Sequence, residues 1–141
     1  MDTFDIKELI LRGKKTIKSF DLPLGGTIYV RPLTDLEFSK AEAQMISRIS
    51  TPKTRKYLLG ETEETTDVDF EEMAAATAYQ NTMIAYLAMK DFANGEITMD
   101  DVSQLIGVST IADYVREISG AMKTAAKVEE KTKEIKDFRK K

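Results

Sequence analysis

Three helix-start signatures divide most of this chain into helical segments. Each places a Thr or Asp three residues ahead of a Glu or Asp and precedes apolar residues at helical spacing, and they begin at Thr34, Asp69 and Thr98. The two side chains of such a signature exchange hydrogen bonds with backbone donors that a helix start leaves unsatisfied. We therefore predict helices over about 34–50, 69–92 and 98–107.

The 69–92 segment is apolar on more than one side. Tyr79 and Tyr86 flank a stripe that consists of Met73, Ala76, Gln80, Met83, Ile84 and Leu87. A wide apolar arc indicates contacts on several sides of a helix. We expect this helix to be the central one.

A short amphipathic helix is predicted near the start of the chain. Asp2 or Thr3 can cap it, with Asp5 placed to return the bond, and Gly13 can stop it. Its apolar face carries Ile6, Leu9 and Ile10.

A β-hairpin is predicted from about Lys15 to Leu33. Two β-rich runs are separated by Pro23, Leu24 and a pair of glycines that permit the positive φ values of a hairpin loop. Alternation places Phe20 with Leu22, and Ile28 with Val30, on one face. Because a lone two-stranded hairpin is marginal in water, it must lie on helices or pair its edge with another chain.

Two further segments complete the layout. Residues 51–68 follow Pro52 without apolar periodicity, which predicts a working loop or a mobile insertion. Ser109 and Thr110, with Asp113 behind them, predict the capped start of a last helix that continues to Met122.

The predicted fold is mainly α with a small N-terminal β-hairpin, an α+β arrangement. We expect a compact domain of about five helices over residues 1–122, including a long C-terminal helix. Residues 123–141 form a basic tail that can be helical but has little apolar surface to bury.

Composition excludes much of catalytic chemistry. The chain has 141 residues with no Cys and no His, which removes disulfides, thiolate nucleophiles, the usual zinc sites and His-based acid–base schemes. The Gly13-Lys14-Lys15 sequence lacks the rest of a phosphate loop, and the acidic residues of 67–72 are those that a helix start favours. No catalytic, cofactor-binding or metal-binding residue is predicted, and we expect no enzyme activity.

Charge is divided unevenly between the tail and the rest of the chain. The 24 acidic and 21 basic residues give a net charge of −3, and the tail from Lys123 carries eight basic and four acidic residues. The remainder is therefore at −7, which disfavours nucleic acid as the partner of its main surface. No apolar run is long enough to span a membrane and the start lacks a secretory pattern, so we expect a cytoplasmic protein.

The segment 100–120 has the outline of a helix-turn-helix, with the turn at Gly107-Val108-Ser109. In such motifs the second helix presents apolar side chains to the first, and those positions fall here on Asp113 and Arg116. Because an unpaired buried charge costs several kcal/mol, this outline indicates an ordinary helix pair rather than a DNA reader.

The order of parts resembles that of the tail assembly chaperones of long-tailed bacteriophages. In that family a short helix precedes a hairpin that commonly ends in V-R-x-L-T-x-x-E, which stands here as VRPLTDLE over Val30–Glu37. Residues 86–122 are similar to the family's second half, where an I-A-x-x-I or L-x-x-x-I helix closes the fold. The resemblance covers about residues 1–122.

This resemblance implies a non-enzymatic protein that coats the tape measure protein and recruits tail tube subunits before the tube polymerises. It implies a location in the host cytoplasm and absence from the mature virion. A structural tail or head–tail connector component and a helix-turn-helix-like DNA-binding protein are the alternatives.

Apolar surface on the hairpin, the central helix and the tail provides the candidate contacts with partners. The predicted partner-binding residues are Phe20, Ile28, Val30, Tyr79, Met83, Tyr86, Val128, Ile135 and Phe138. The hairpin edge or the 69–92 helix is also the predicted site of self-association.

Overall fold

The computed structural model describes residues 3–60 and 68–121, and this part is mainly helical with one two-stranded antiparallel sheet. In chain order the elements are α1 (Ile6–Lys15), β1 (Lys18–Asp21), β2 (Thr27–Val30), α2 (Asp35–Ser47), α3 (Pro52–Leu58), α4 (Phe70–Met89), a 3-10 turn (Lys90–Phe92), α5 (Met99–Ser103) and α6 (Val108–Ile118). The predicted α+β class is confirmed.

Helix α4 is the centre of the fold. Its most extensive contacts are with α2 and α6, and it also touches α3, α5 and β2. Its buried residues are Ala76, Thr82, Ile84, Ala85, Ala88 and Met89. The prediction of a central helix with several contact faces is confirmed.

The predicted helix starts are present at the expected residues. At Thr34 and at Thr98 both reciprocal hydrogen bonds of a capping box are made. Asp69 Oδ1 accepts from the backbone N–H of Glu72 at 3.1 Å. Each bond satisfies a donor that would otherwise lack a partner, which fixes where α2, α4 and α5 begin.

The hairpin packs on the helices, which is one of the two arrangements expected for it. Phe20 pairs with Ile28 and Lys18 with Val30, so the predicted apolar residues share a face. Val30 is fully buried in the main core, and the Phe20 ring lies 5.3 Å from the Tyr114 ring of α6, centroid to centroid. Packing against α4 and α6 therefore supplies the stability that two strands lack alone.

Helix α1 differs from its prediction at both ends. Asp5 is the N-cap and accepts from the backbone N–H of Lys7 at 3.0 Å, so the expected caps at Asp2 or Thr3 are wrong. Gly13 does not stop the helix, which continues to Lys15. The cap lies later because Asp5 serves as the acceptor itself.

The expectation of a loop throughout 51–68 is wrong, because α3 occupies Pro52–Leu58. Pro52 stands at the first helical turn, where its missing N–H costs nothing. Thr54 is fully buried, and its Oγ1 accepts from the backbone N–H of Asp69 at 2.8 Å. Seven residues are too few to show a helical period in the sequence, and the bond from Asp69 to Thr54 ties this helix to the start of α4.

Helix α6 is shorter than predicted. It begins at Val108 after Gly107, whose φ is 91°, and no Ser109 or Thr110 side chain caps it. It ends at Ile118 because Gly120, with φ of 76°, places the N–H of Ala121 2.7 Å from the carbonyl of Arg116. This Schellman arrangement ends the helix before Met122.

Arg116 is buried, with 5% of its surface exposed, but it is not the unpaired charge whose burial would be too costly. Its guanidinium donates to Asp113 Oδ1 at 3.0 Å and to Asn81 Oδ1 of α4 at 2.9 Å. Burial lowers the pKa of Arg116, and the Asp113 carboxylate opposes this shift. The charge is therefore tolerated because it is paired, and it ties α6 to α4.

We predict that Asn81→Ala lowers the free energy of unfolding by about 1–3 kcal/mol, because a buried guanidinium N–H loses its acceptor. Chemical denaturation of the two proteins measures this difference. Arg116→Met is the matched control, since an apolar side chain of similar length leaves no buried donor. In the Arg116→Met background Asn81→Ala should cost less, and an equal cost in both backgrounds would contradict the assigned role of the bond.

Candidate protein-interaction site

A cleft of about 600 Å³ separates α1 from the segment that joins β2 to α2. Its residues are Leu9, Ile10, Gly13 and Lys14 on α1 and Arg31, Pro32, Leu33, Thr34, Glu37 and Asp91 on the opposite side. The apolar face of α1 thus borders open space. We call Ile6, Leu9, Ile10 and Gly13 the α1 face.

An ion cluster occupies the wall opposite α1. The Arg31 guanidinium donates two hydrogen bonds to the Glu37 carboxylate, at 3.0 and 2.7 Å, and its Nε lies 3.5 Å from Asp91 Oδ2. A two-pronged pair of this kind fixes orientation as well as adding energy. Because the Arg31 backbone N–H also donates to the Ala88 carbonyl at 3.1 Å, this residue joins the hairpin to the last turn of α4.

The cluster shifts the pKa values of both partners toward their charged forms. Hydrogen bonding to Arg31 lowers the pKa of Glu37, with a further contribution from Thr34 and against the effect of burial. The same pair raises the pKa of Arg31. Both directions are those expected of an ion pair.

The VRPLTDLE segment owes its residue pattern to local structure. Val30 and Leu33 are buried, and the Leu33 N–H donates to Ser119 Oγ of the α6 terminus at 2.9 Å. Glu37 serves both the Thr34 capping box and the Arg31 pair. Each defined position of the phrase thus closes the junction between hairpin and helices.

The α1 face is accessible because α1 contributes nothing to the core. None of its residues is buried, and it takes no part in the extensive contacts between described elements. Ile6, Leu9 and Ile10 are 62%, 48% and 52% exposed. Single exposed apolar residues are normal, but three at i, i+3 and i+4 form one continuous stripe.

The predicted partner-binding residues of the hairpin lie against the helices. Phe20 and Ile28 are half-buried and pack on the main core. Val30 is completely buried, so its side chain has no surface to offer. The structure therefore places these three residues in the attachment of the hairpin to its own domain.

The predicted partner-binding residues of the central helix are also partly covered. Tyr79, Met83 and Tyr86 are half-buried, and the Arg48 guanidinium lies 3.6 Å from the centroid of the Tyr79 ring. Lys90 lies 5.8 Å above the Tyr86 ring. Val128, Ile135 and Phe138 lie outside the described residues, so the contact assigned to them stays a prediction.

The α1 face was not among the predicted contact residues. The sequence shows its stripe, but the same spacing is produced by a helix that buries one face against its own domain. Gly13 distinguishes a face that a partner covers from one that packs on its own domain, because it lies on the stripe and does not end the helix. Only the structure shows that the helix continues past it.

Other kinds of site are not found in the described ranges. Residues 3–60 and 68–121 contain no group of three or more acidic side chains placed to hold a metal ion. No helix in the same ranges is long and apolar enough to cross a bilayer.

Comparison of the chain with family models, with curated proteins and with solved structures finds no match. The case for a function therefore depends on the geometry and on the layout of the sequence.

We predict that Glu37→Gln lowers the free energy of unfolding near neutral pH by about 1–3 kcal/mol, since the charged bond to Arg31 is weakened. The folded pKa of Glu37 is lowered, so its contribution is fully present above the unfolded value of about 4.3 and is lost as pH falls through the folded value. The difference between wild type and variant should therefore shrink on acidification below about pH 4.

Denaturant titrations at a series of pH values measure this difference. Glu42→Gln is the control, because Glu42 is an exposed carboxylate on the same helix. A difference between wild type and Glu37→Gln that stays constant down to pH 2 would contradict the ion-pair assignment.

Proposed function

We propose that this chain is an assembly chaperone of bacteriophage tails. It binds the tape measure protein and tail tube subunits in the host cytoplasm during tail morphogenesis and does not remain in the mature virion. It acts by binding other proteins through apolar helical surface, and it has no reactive centre.

The accessible α1 face is the observation that carries this proposal. Leaving apolar side chains in water forgoes about 1.5–3 kcal/mol for each Leu or Ile that could be fully buried. Moreover, a ten-residue helix is shorter than the about 12–15 residues at which isolated helices become even marginally stable. A partner that covers the face would supply both the burial and the stability that α1 lacks.

The layout of the chain supports the identity of that partner. The structure has the element order of the resemblance, with a short helix, a hairpin and then helices. A chaperone of a long helical client needs a surface that accepts an amphipathic helix, which is a common mode of recognition between proteins. The cleft beside α1 is such a surface.

Co-expression with the tape measure and tail tube proteins of the same genome tests the proposal. We expect the wild-type chain to co-purify with the tape measure protein. The triple variant Ile6→Ser, Leu9→Ser, Ile10→Ser should lose most of this binding while its melting temperature changes little, because these side chains are outside the core.

Three other results would contradict the proposal. Stoichiometric presence of the chain in purified particles would favour a structural tail or connector component. Retention on a duplex DNA column at moderate salt would favour the DNA-binding alternative. Failure of both tail proteins to co-purify with the wild-type chain would remove the chaperone assignment itself.

A further inference from the structure

We propose that the α1 face is the docking site for one helix of a partner protein, an amphipathic helix whose apolar stripe is flanked by acidic residues. This inference rests on the proposed function, from which it takes that the partner is a protein. It deepens that function by naming the surface and the chemistry of the bound segment. Three features of the structure support it: Gly13, the charge of α1 and the distribution of exposed apolar residues.

No neighbour among the described residues requires a glycine at position 13. It lies inside α1, its φ is outside the left-handed region, and nothing lies within 4 Å of the place where a Cβ would stand. Glycine in a helix interior costs stability relative to alanine. Since no contact within the described residues requires it, the missing side chain provides room for a close approach from outside.

Gly13 lies on the apolar face of α1, where a partner would approach. Gly13 follows Leu9 by four residues and Ile10 by three, so it lies on the same face as both. The stripe therefore has a notch bordered by large apolar side chains. A helix that crosses α1 here can bring its backbone or a bulky side chain against the notch.

The charge of α1 indicates which kind of partner helix it binds. Across Ile6–Lys15 there are four basic residues and one acidic residue, and the acidic one, Glu8, pairs with Arg12 at 3.2 Å. Lys7, Lys14 and Lys15 give the helix its positive surface. Described residues after α1 carry nine basic and thirteen acidic side chains, so α1 differs in sign from the domain that bears it.

A second copy of this chain fits the face less well. Two α1 helices packed together would bring like charges into contact. Outside α1, Phe4 and Ile17 are exposed at its two ends, and the other exposed large apolar residues in the described ranges are spread over the rest of the domain: Leu24, Tyr29, Leu36, Leu59, Phe70 and Ile106. Without a second stripe to meet it, the α1 face is complementary to an acidic amphipathic helix of another protein.

Titration calorimetry of the full chain with synthetic peptides tests the inference. The first probe is a 21-residue helix with a Leu stripe flanked by Glu, the second has the same stripe flanked by Lys, and the third is a scrambled form of the first. We expect the acidic probe to bind at least tenfold more tightly than the basic one, and the scrambled peptide to give no binding. Equal affinity for the two helices would overturn the inference.

Gly13→Ala separates docking from helix stability. Alanine favours the helix, so hydrogen exchange of the α1 amides should slow in the free protein. At the same time the new methyl group fills the notch, and affinity for the acidic probe should fall at least fivefold. Unchanged or tighter binding would overturn the assignment of Gly13.

Leu9→Ser and Leu36→Ser are a matched pair for the stripe. Both replace an exposed leucine, at 48% and 79% exposure, but only Leu9 is on the α1 face. We expect Leu9→Ser to weaken binding of the acidic probe at least tenfold and Leu36→Ser to leave it unchanged. Equal effects would show that the probe does not occupy this face.

Two measurements examine other occupants. Concentration-dependent sedimentation of the wild type that Leu9→Ser abolishes would assign the face to a second copy and overturn the inference. Co-sedimentation with phosphatidylglycerol vesicles that Leu9→Ser abolishes would assign it to a lipid surface, with the same consequence.

The inference and the proposed function can fail separately. If the acidic probe binds as described but no tail protein co-purifies, the function is wrong and the docking site stands. If the tape measure protein co-purifies equally with wild type, Gly13→Ala and Leu9→Ser, the docking site is wrong and the function stands.

Discussion

Close packing around α4 is the constraint on which the fold depends. Three alanines on its buried surface, Ala76, Ala85 and Ala88, are at most 4% exposed. Small side chains allow neighbouring elements to approach the helix closely, and here α2, α6 and the hairpin do so. Because so many elements use the same helix, a change in its shape would displace all of them together.

The junction of the hairpin with the helices depends on polar groups that each serve two purposes. Arg31 connects β2, the end of α4 and the start of α2, and Glu37 joins a helix cap to an ion pair. The residues of this short segment therefore stabilise the junction through packing and hydrogen bonds. The same residues that carry the resemblance hold the backbone in place.

Local chemistry made much of the fold predictable. Capping residues at Thr34, Asp69 and Thr98 and the glycine pair of the hairpin act within a few residues of themselves, so their effect can be read from sequence. Features set by distant partners were missed. The buried Arg116 is paired with Asp113 and with the distant Asn81, and α3 is tied to the start of α4 by the bond between Thr54 and Asp69.

The candidate site was only half predictable for a related reason. The stripe of α1 is visible in the sequence, but exposure is a property of what the rest of the chain leaves uncovered. Aromatic residues such as Tyr79 suggested contact surface, and in the structure Arg48 covers one face of the ring. An amphipathic pattern therefore shows that a face needs a partner without showing whether the partner is internal.

The separation of α1 from the core has a consequence for how such a protein can change. Only Thr16 and Ile17 connect the helix to β1, and no side chain of α1 is buried in the part of the domain that the structure describes. With a partner docked on the α1 face as proposed, substitutions in α1 would alter selectivity without an accompanying loss of folding. Recognition by α1 and stability of the domain would then be under independent control.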